Sequence, residues 1–150
     1  MKDLFDKKNA EEMIKRIEAL QPNSERKWGK MSVDQMLAHC NVTYEFIYDN
    51  IHPKPSGLQK WMLKIFVKNI VVNEKPYKKN SRTAPEFIMV NEKNFEIEKN
   101  RLIAYINKTQ QLGSDYFHNK ESRSFGNLTK TEWSNMFYKH LDHHLSQFGV

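Results

Sequence analysis

FYKHLDHHLSQF, residues 137 to 148, places three of the chain's six histidines within five positions. A neutral imidazole is a metal ligand and a general base in the physiological range, so this stretch is where chemistry is sought first. In a helix, His140 and His144 stand about 40° apart around the axis and about 6 Å, one turn, along it. Trp133 and Phe137 continue the same stripe, which predicts that it faces the interior. Two imidazoles at i and i+4 on a buried face can converge on one metal ion. His143 is turned about 100° from His144, and is expected outside that shell.

Holding a metal firmly takes a third ligand. His39 is the best placed, because it shares an apolar helical stripe with Met36, Thr43 and Phe46. His52 precedes a proline in a connector and His118 falls in a polar stretch, so both rank lower. Three neutral imidazoles would leave a divalent ion its full charge, with positions for water or substrate, and so make a Lewis acid. Such borderline-soft ligands suit zinc, nickel or iron almost equally. Cys40 adjoins His39 but points about 100° away and reads as a small buried hydrophobe. As the single cysteine it makes neither an intrachain disulfide nor a cysteine-based zinc site.

These side chains need helices to carry them, and five segments have helical periodicity. The first spans about Asn9 to Leu20, with Ala10, Met13, Ile14, Ile17 and Leu20 on one stripe and an Asn9–Glu12 capping box. The second spans Ser32 to about Asn50, with Gln35 as box partner and Met31 against Met36 as staple. After the connector IHPKPSG, the third is predicted from about Leu58 to Val72. It turns Trp61, Met62, Ile65 and Phe66 away from a stripe of Lys60, Lys64 and Lys68, which predicts Trp61 in the core and a solvated lysine face. The fourth starts between Asn91 and Asn94 and ends near Gly113, with acids at its start and Lys108 near its end, as the helix dipole favours. The last opens at Thr129 with Glu132 as box partner, staples Leu128 to Trp133, and runs to Phe148 before Gly149. Residues 73 to 90 form a long connection expected to cover a site, with at most a short extended piece at Glu86 to Val90.

The expected architecture is an all-α bundle in a single domain over residues 1–150. Neither the charged N-terminus nor WMLKIFVKNIVV, broken by two lysines, reads as a membrane segment, so the expectation is cytoplasmic. The net charge of +6 is concentrated in Lys60, Lys64, Lys68, Lys75, Lys78, Lys79 and Arg82, against Glu74 alone. That lists nucleic-acid binding as a third-ranked reading.

WGKMSVDQMLAHC at 28–40, TAPEFIMVNEKNFEIEKNRL at 83–102 and FGNLTKTEWSNMFYKHLDHHLSQFG at 125–149 resemble the DinB-like superfamily. The likeness is closest to a small bacterial branch that has these W-G-K-M-S and K-H-L-D-H-H-L-x-Q-F-G motifs. The resemblance implies an up-down four-helix bundle with an additional N-terminal helix. It also implies a divalent metal on three histidines, which map to His39, His140 and His144. Related members are S-transferases and isomerases that use bacillithiol, mycothiol or similar thiols. The implied function is a metal-dependent thiol S-transferase or hydrolase whose partners are a small-molecule thiol and an electrophile. The alternative is a non-catalytic metal-binding stress-response or interaction protein; a homodimer stays open. One departure stands out: Ser122 and Arg123 occupy the place where the branch is expected to have His-Pro before Phe125–Gly126.

Overall fold

A computed structural model describes residues 1–49 and 51–150. Its order is α1 (Lys7–Glu18), α2 (Val33–Tyr48), α3 (Gly57–Phe66), α4 (Lys68–Val72), a single 3-10 turn (Pro85–Phe87), α5 (Phe95–Phe117), β1 (Lys120–Ser122), β2 (Gly126–Leu128) and α6 (Lys130–Gln147). The protein is mainly helical, and no described helix is long and apolar enough to cross a membrane.

α2 sits at the centre. Every residue from Met36 to Glu45 is buried, so the helix has no solvent face, and its polar side chains must find partners inside. Asn41 donates to the Glu98 backbone carbonyl and carboxylate on α5, at 3.0 and 2.7 Å. Glu45 receives Arg101 at 2.5 Å and His52 at 2.7 Å. The α2–α5 contact is the most extensive in the molecule, and α6 packs on both. Between them Tyr44 stacks on Phe137, and Phe137 on Trp133, with ring centroids 5.3 and 5.6 Å apart.

α1 starts earlier than its Asn9–Glu12 pattern suggests. Asp6 is the cap, accepting the Asn9 amide at 3.1 Å. Ala10, Met13 and Ile17 are buried as expected, and α1 packs on both α5 and α6. It is therefore part of the main core rather than an addition to it. α2 has the predicted Ser32–Gln35 pairing, with Gln35 accepting the Ser32 amide at 3.2 Å; its predicted end at Asn50 lies outside the described residues. α5 begins after Asn94, and its regular helix breaks at Gly113, whose φ of 73° is left-handed. α6 has its Thr129–Glu132 box as predicted, and Gly149 follows it with a φ of 83°.

The predicted third helix is corrected twice. It breaks at Val67 into α3 and α4, and α3 buries none of its residues. Trp61, Met62, Ile65 and Phe66 are 57, 49, 50 and 64% exposed, so Trp61 is not core. Of the lysine stripe, Lys64 is exposed as expected, while Lys60 and Lys68 are half-buried and pair with Glu121 at 2.5 Å and Glu132 at 2.8 Å. α4 is fastened to α6, where buried Lys139 donates to the Ile70 and Asn73 carbonyls, both at 2.7 Å, and Asn135 to the Val72 carbonyl at 3.0 Å. These contacts satisfy carbonyls that a helix end leaves without partners. The extended piece expected at Glu86 to Val90 forms no strand: Glu86 and Phe87 belong to the 3-10 turn and Ile88 follows with extended backbone, while the strands lie in the antiparallel hairpin pairing Lys120 with Leu128 and Ser122 with Gly126.

Candidate metal centre

Two helices bring the site together. His39 comes from the second turn of α2, and His140 and His144 from successive turns of α6. One ring nitrogen from each lies within 4.8 Å of those from the other two. His39 Nε2 and His140 Nε2 are 3.0 Å apart. A tetrahedral zinc ion holds neighbouring nitrogens roughly 3.3 Å apart, so the cluster has the right spacing for one ion.

The outer nitrogen of each ring is engaged. His39 Nδ1 lies 2.8 Å from the carbonyl oxygen of Phe87, which can only accept, so Nδ1 carries the proton and Nε2 the lone pair. His144 Nδ1 lies 3.0 Å from Gln147 Oε1. The amide of Gln147 is fixed because its Nε2 donates to the Trp28 carbonyl at 2.7 Å, so His144 Nδ1 must be the donor and its Nε2 is free. His140 Nδ1 meets the Thr43 hydroxyl at 3.1 Å, which can donate or accept. Thr43 is thus the adjustable member. When it accepts, three lone pairs converge, which calls for a cation; when it donates, His140 Nε2–H can donate to His39 Nε2. Fixing the outer nitrogen in this way orients a metal-ligating histidine and raises its basicity.

All three imidazoles are held neutral. Burial first, then the charge of His144 and of His39, pushes His140 well below its ordinary pKa. His144 is pushed down to about 3, again by burial first and His39 second. Burial also lowers His39, against the raising effect of the Phe87 carbonyl. Neutral imidazole is the ligating form, so no proton has to leave near neutral pH before a metal binds. Among the described residues no carboxylate hydrogen-bonds any of these rings, and a bound divalent ion would keep its charge.

His143 stays outside. Its ring packs edge-on against Trp28 and Tyr77 at 6.0 and 5.7 Å, lining a separate cavity. His52 is tied to Glu45, and His118 is exposed at the end of α5. Cys40 is buried with its thiol 3.8 Å from the Met36 sulfur, and burial pushes its pKa up, so it is an inert core residue.

The long connection does cover the site. Its Phe87 ring sits 5.2 Å from His39 and 5.7 Å from His140, besides lending its carbonyl. Phe87 and Gln147 are the contributors that the sequence reading does not single out. A backbone acceptor leaves no trace in residue types. Gln147 has one: it lies three residues beyond His144, on the same helical face. Gln147 also explains why two distant motifs belong together. Its carbonyl accepts the Lys27 amide at 2.7 Å, and a Cβ on Gly29 would fall 2.3 Å from its Nε2. Gly29, with a φ of 82°, lets the Trp28 turn close on Gln147.

Fold and site define a helical protein with a buried three-histidine cluster able to hold a metal ion. Residues 2–149 match the model of the family described as protein of unknown function (DUF1569), and the chain belongs to that family. No curated protein and no solved structure matches it.

Proposed function

We propose that this chain is a DinB-like, metal-dependent enzyme of the S-transferase or hydrolase kind, activating a small thiol or a water at His39, His140 and His144. The supporting observation is the convergence of three neutral imidazoles whose outer nitrogens are all engaged. In this reading α1, α2, α5 and α6 form the four-helix bundle, and α3 with α4 is the addition. The packing of α5 and α6 on each other and on both α1 and α2 supports this arrangement.

The donor set fits zinc, nickel or iron. Once bound, a divalent ion would supply Lewis acidity and lower the pKa of a thiol or water beside it. His39, His140 and His144 hold it, while Phe87, Thr43 and Gln147 keep their rings turned inward. The Phe87 ring, edge-on to His140, keeps bulk water from that side and raises the strength of charge interactions inside. The chain brings no reactive thiol of its own, since Cys40 is buried and protonated, so the nucleophile must come with a cosubstrate.

The test is turnover. Metal-loaded protein is offered a panel of small thiols with an epoxide, a halide and an activated alkene. Metal-dependent thiol transfer that is lost in His39→Ala, His140→Ala and His144→Ala but kept in Cys40→Ser supports the proposal. Metal-loaded protein without thiol transfer or thiol binding across the panel, and without hydrolysis of ester and amide substrates, overturns it and leaves a metal-pinned binding protein.

A further inference from the structure

Arg123 sits in the three-residue turn of the β1–β2 hairpin, which Ser122 braces by accepting the Phe125 amide at 2.8 Å. Its side chain is only 8% exposed. Its Nε and Nη1 are buried and have no hydrogen-bond partner among the described residues. The acid paired with it, Glu86, reaches Nη2 at 3.9 Å, too far for a hydrogen bond, and is itself 38% exposed. The guanidinium carbon lies 4.0 Å from the centre of the Phe46 ring, which fixes its place without meeting its donors. An arginine cannot shed its proton to escape this situation. A buried, charged group with two unmet donors is costly to keep, and such an arrangement calls for an anion.

There is room for one. Arg123 lines a cavity of about 290 Å³ together with Phe46, His52, Lys54, Lys60, Ser122 and the exposed carboxylate of Glu121. Of the other cationic groups there, Lys60 is paired with Glu121 and His52 with Glu45, whereas Lys54 makes no ion pair among the described residues. The geometry points to an oxyanion-binding subsite, with Arg123 as its anchor and Lys54 at its rim, taking the phosphate or carboxylate group of a small molecule. An oxyanion meeting Nη2 together with either Nε or Nη1 makes the two parallel charge-assisted bonds for which the guanidinium is shaped, and displaces the long Glu86 contact. Phe46 connects the subsite to the histidine cluster only through Phe87: its ring is 5.3 Å from that of Phe87, which packs on His39 and His140. The subsite stands on Arg123 and its cavity, and needs no metal.

The experiment is an NMR titration of the Arg123 side-chain Nε–H signal with inorganic phosphate and, separately, with succinate, at constant ionic strength. Calorimetry follows both probes in the wild type, Arg123→Gln, Arg123→Lys and Lys54→Gln. A saturable shift with at least one probe is expected. Affinity should be roughly tenfold to a hundredfold weaker in Arg123→Gln, as loss of a charged hydrogen-bonding group implies, with part retained in Arg123→Lys. Preference for phosphate over succinate assigns a phosphate ester, and the reverse a carboxylate. If Arg123→Gln does not fold, the wild-type signal and a weaker fit in Lys54→Gln carry the decision. A non-saturating response to both probes, or equal affinity in a folded Arg123→Gln, overturns the inference.

Discussion

α6 and α3 carry the same kind of helical pattern and come to opposite ends. On α6 the stripe of Trp133, Phe137, His140 and His144 turns inward, and Trp133 and Phe137 are 2 and 0% exposed. On α3 the stripe of Trp61, Ile65 and Phe66 turns outward, while Lys60 reaches for Glu121 on the hairpin and Lys68, at the start of α4, for Glu132 on α6. Periodicity decides which side chains share a face; it does not decide which face meets the core. For α6, a fully enclosed α2 lies opposite. For α3, the ion pairs and the fastening of α4 by Lys139 and Asn135 set the roll of the segment.

The contrast is open to measurement, and the largest effect belongs to α6. Trp133→Ala should cost ~3–5 kcal/mol in urea unfolding, as removal of a large buried aromatic does. A cost below ~1 kcal/mol would mean that the stripe is not the core it is taken to be.

Acid comes next. His144 is held at about 3 by burial and then by His39, against an ordinary 6.5. A histidine with a depressed folded-state pKa stabilises the fold above its unfolded value, and that contribution is lost as pH falls from about 6.5 towards 3. Metal-free protein should therefore lose ~2 kcal/mol by pH 5 through this residue, and His144→Asn should flatten the pH dependence of melting. Identical pH profiles for the two proteins would contradict the burial of a neutral ring.

Gly29→Ala tests the lock on His144 from the far side. The added carbon meets Gln147 Nε2 in a backbone conformation that L residues avoid. The expected cost is ~1–2 kcal/mol of stability. Metal affinity, read by competition with a chromophoric chelator, should weaken about tenfold to a hundredfold. Unchanged affinity would show that Gln147 does not orient the ring. The smallest effect is expected on α3, where Trp61→Ser should shift stability by no more than ~0.5 kcal/mol in the isolated protein. A loss comparable to that of Trp133→Ala would place Trp61 in a core after all.

What the sequence shows well is short-range. The caps at Ser32 and Thr129 and the pairing of His140 with His144 follow from spacings of three and four residues on good helices, and His39 joins them because it lies on the apolar stripe of its own helix. Where two caps compete three residues apart, as Asp6 and Asn9 do, spacing alone selects wrongly. Strands of three residues, such as Lys120–Ser122, are too short to show alternation. The break at Val67, the outward roll of α3 and the Phe87 carbonyl depend on partners far away in the chain, which no local pattern reports. Arg123 falls between these cases: its position is marked as a departure from the expected His-Pro, but its burial shows only in the fold.

The central claim is that His39, His140 and His144 form one metal site. Protein purified without chelator or affinity histidines, stripped and then titrated calorimetrically with zinc and with nickel, tests it most directly. The account predicts saturable binding of one ion per chain with at least one of the two metals, weakened by orders of magnitude in His140→Ala and unchanged in His143→Ala. No saturable binding in the folded wild type, or equal binding in a folded His140→Ala, would contradict it.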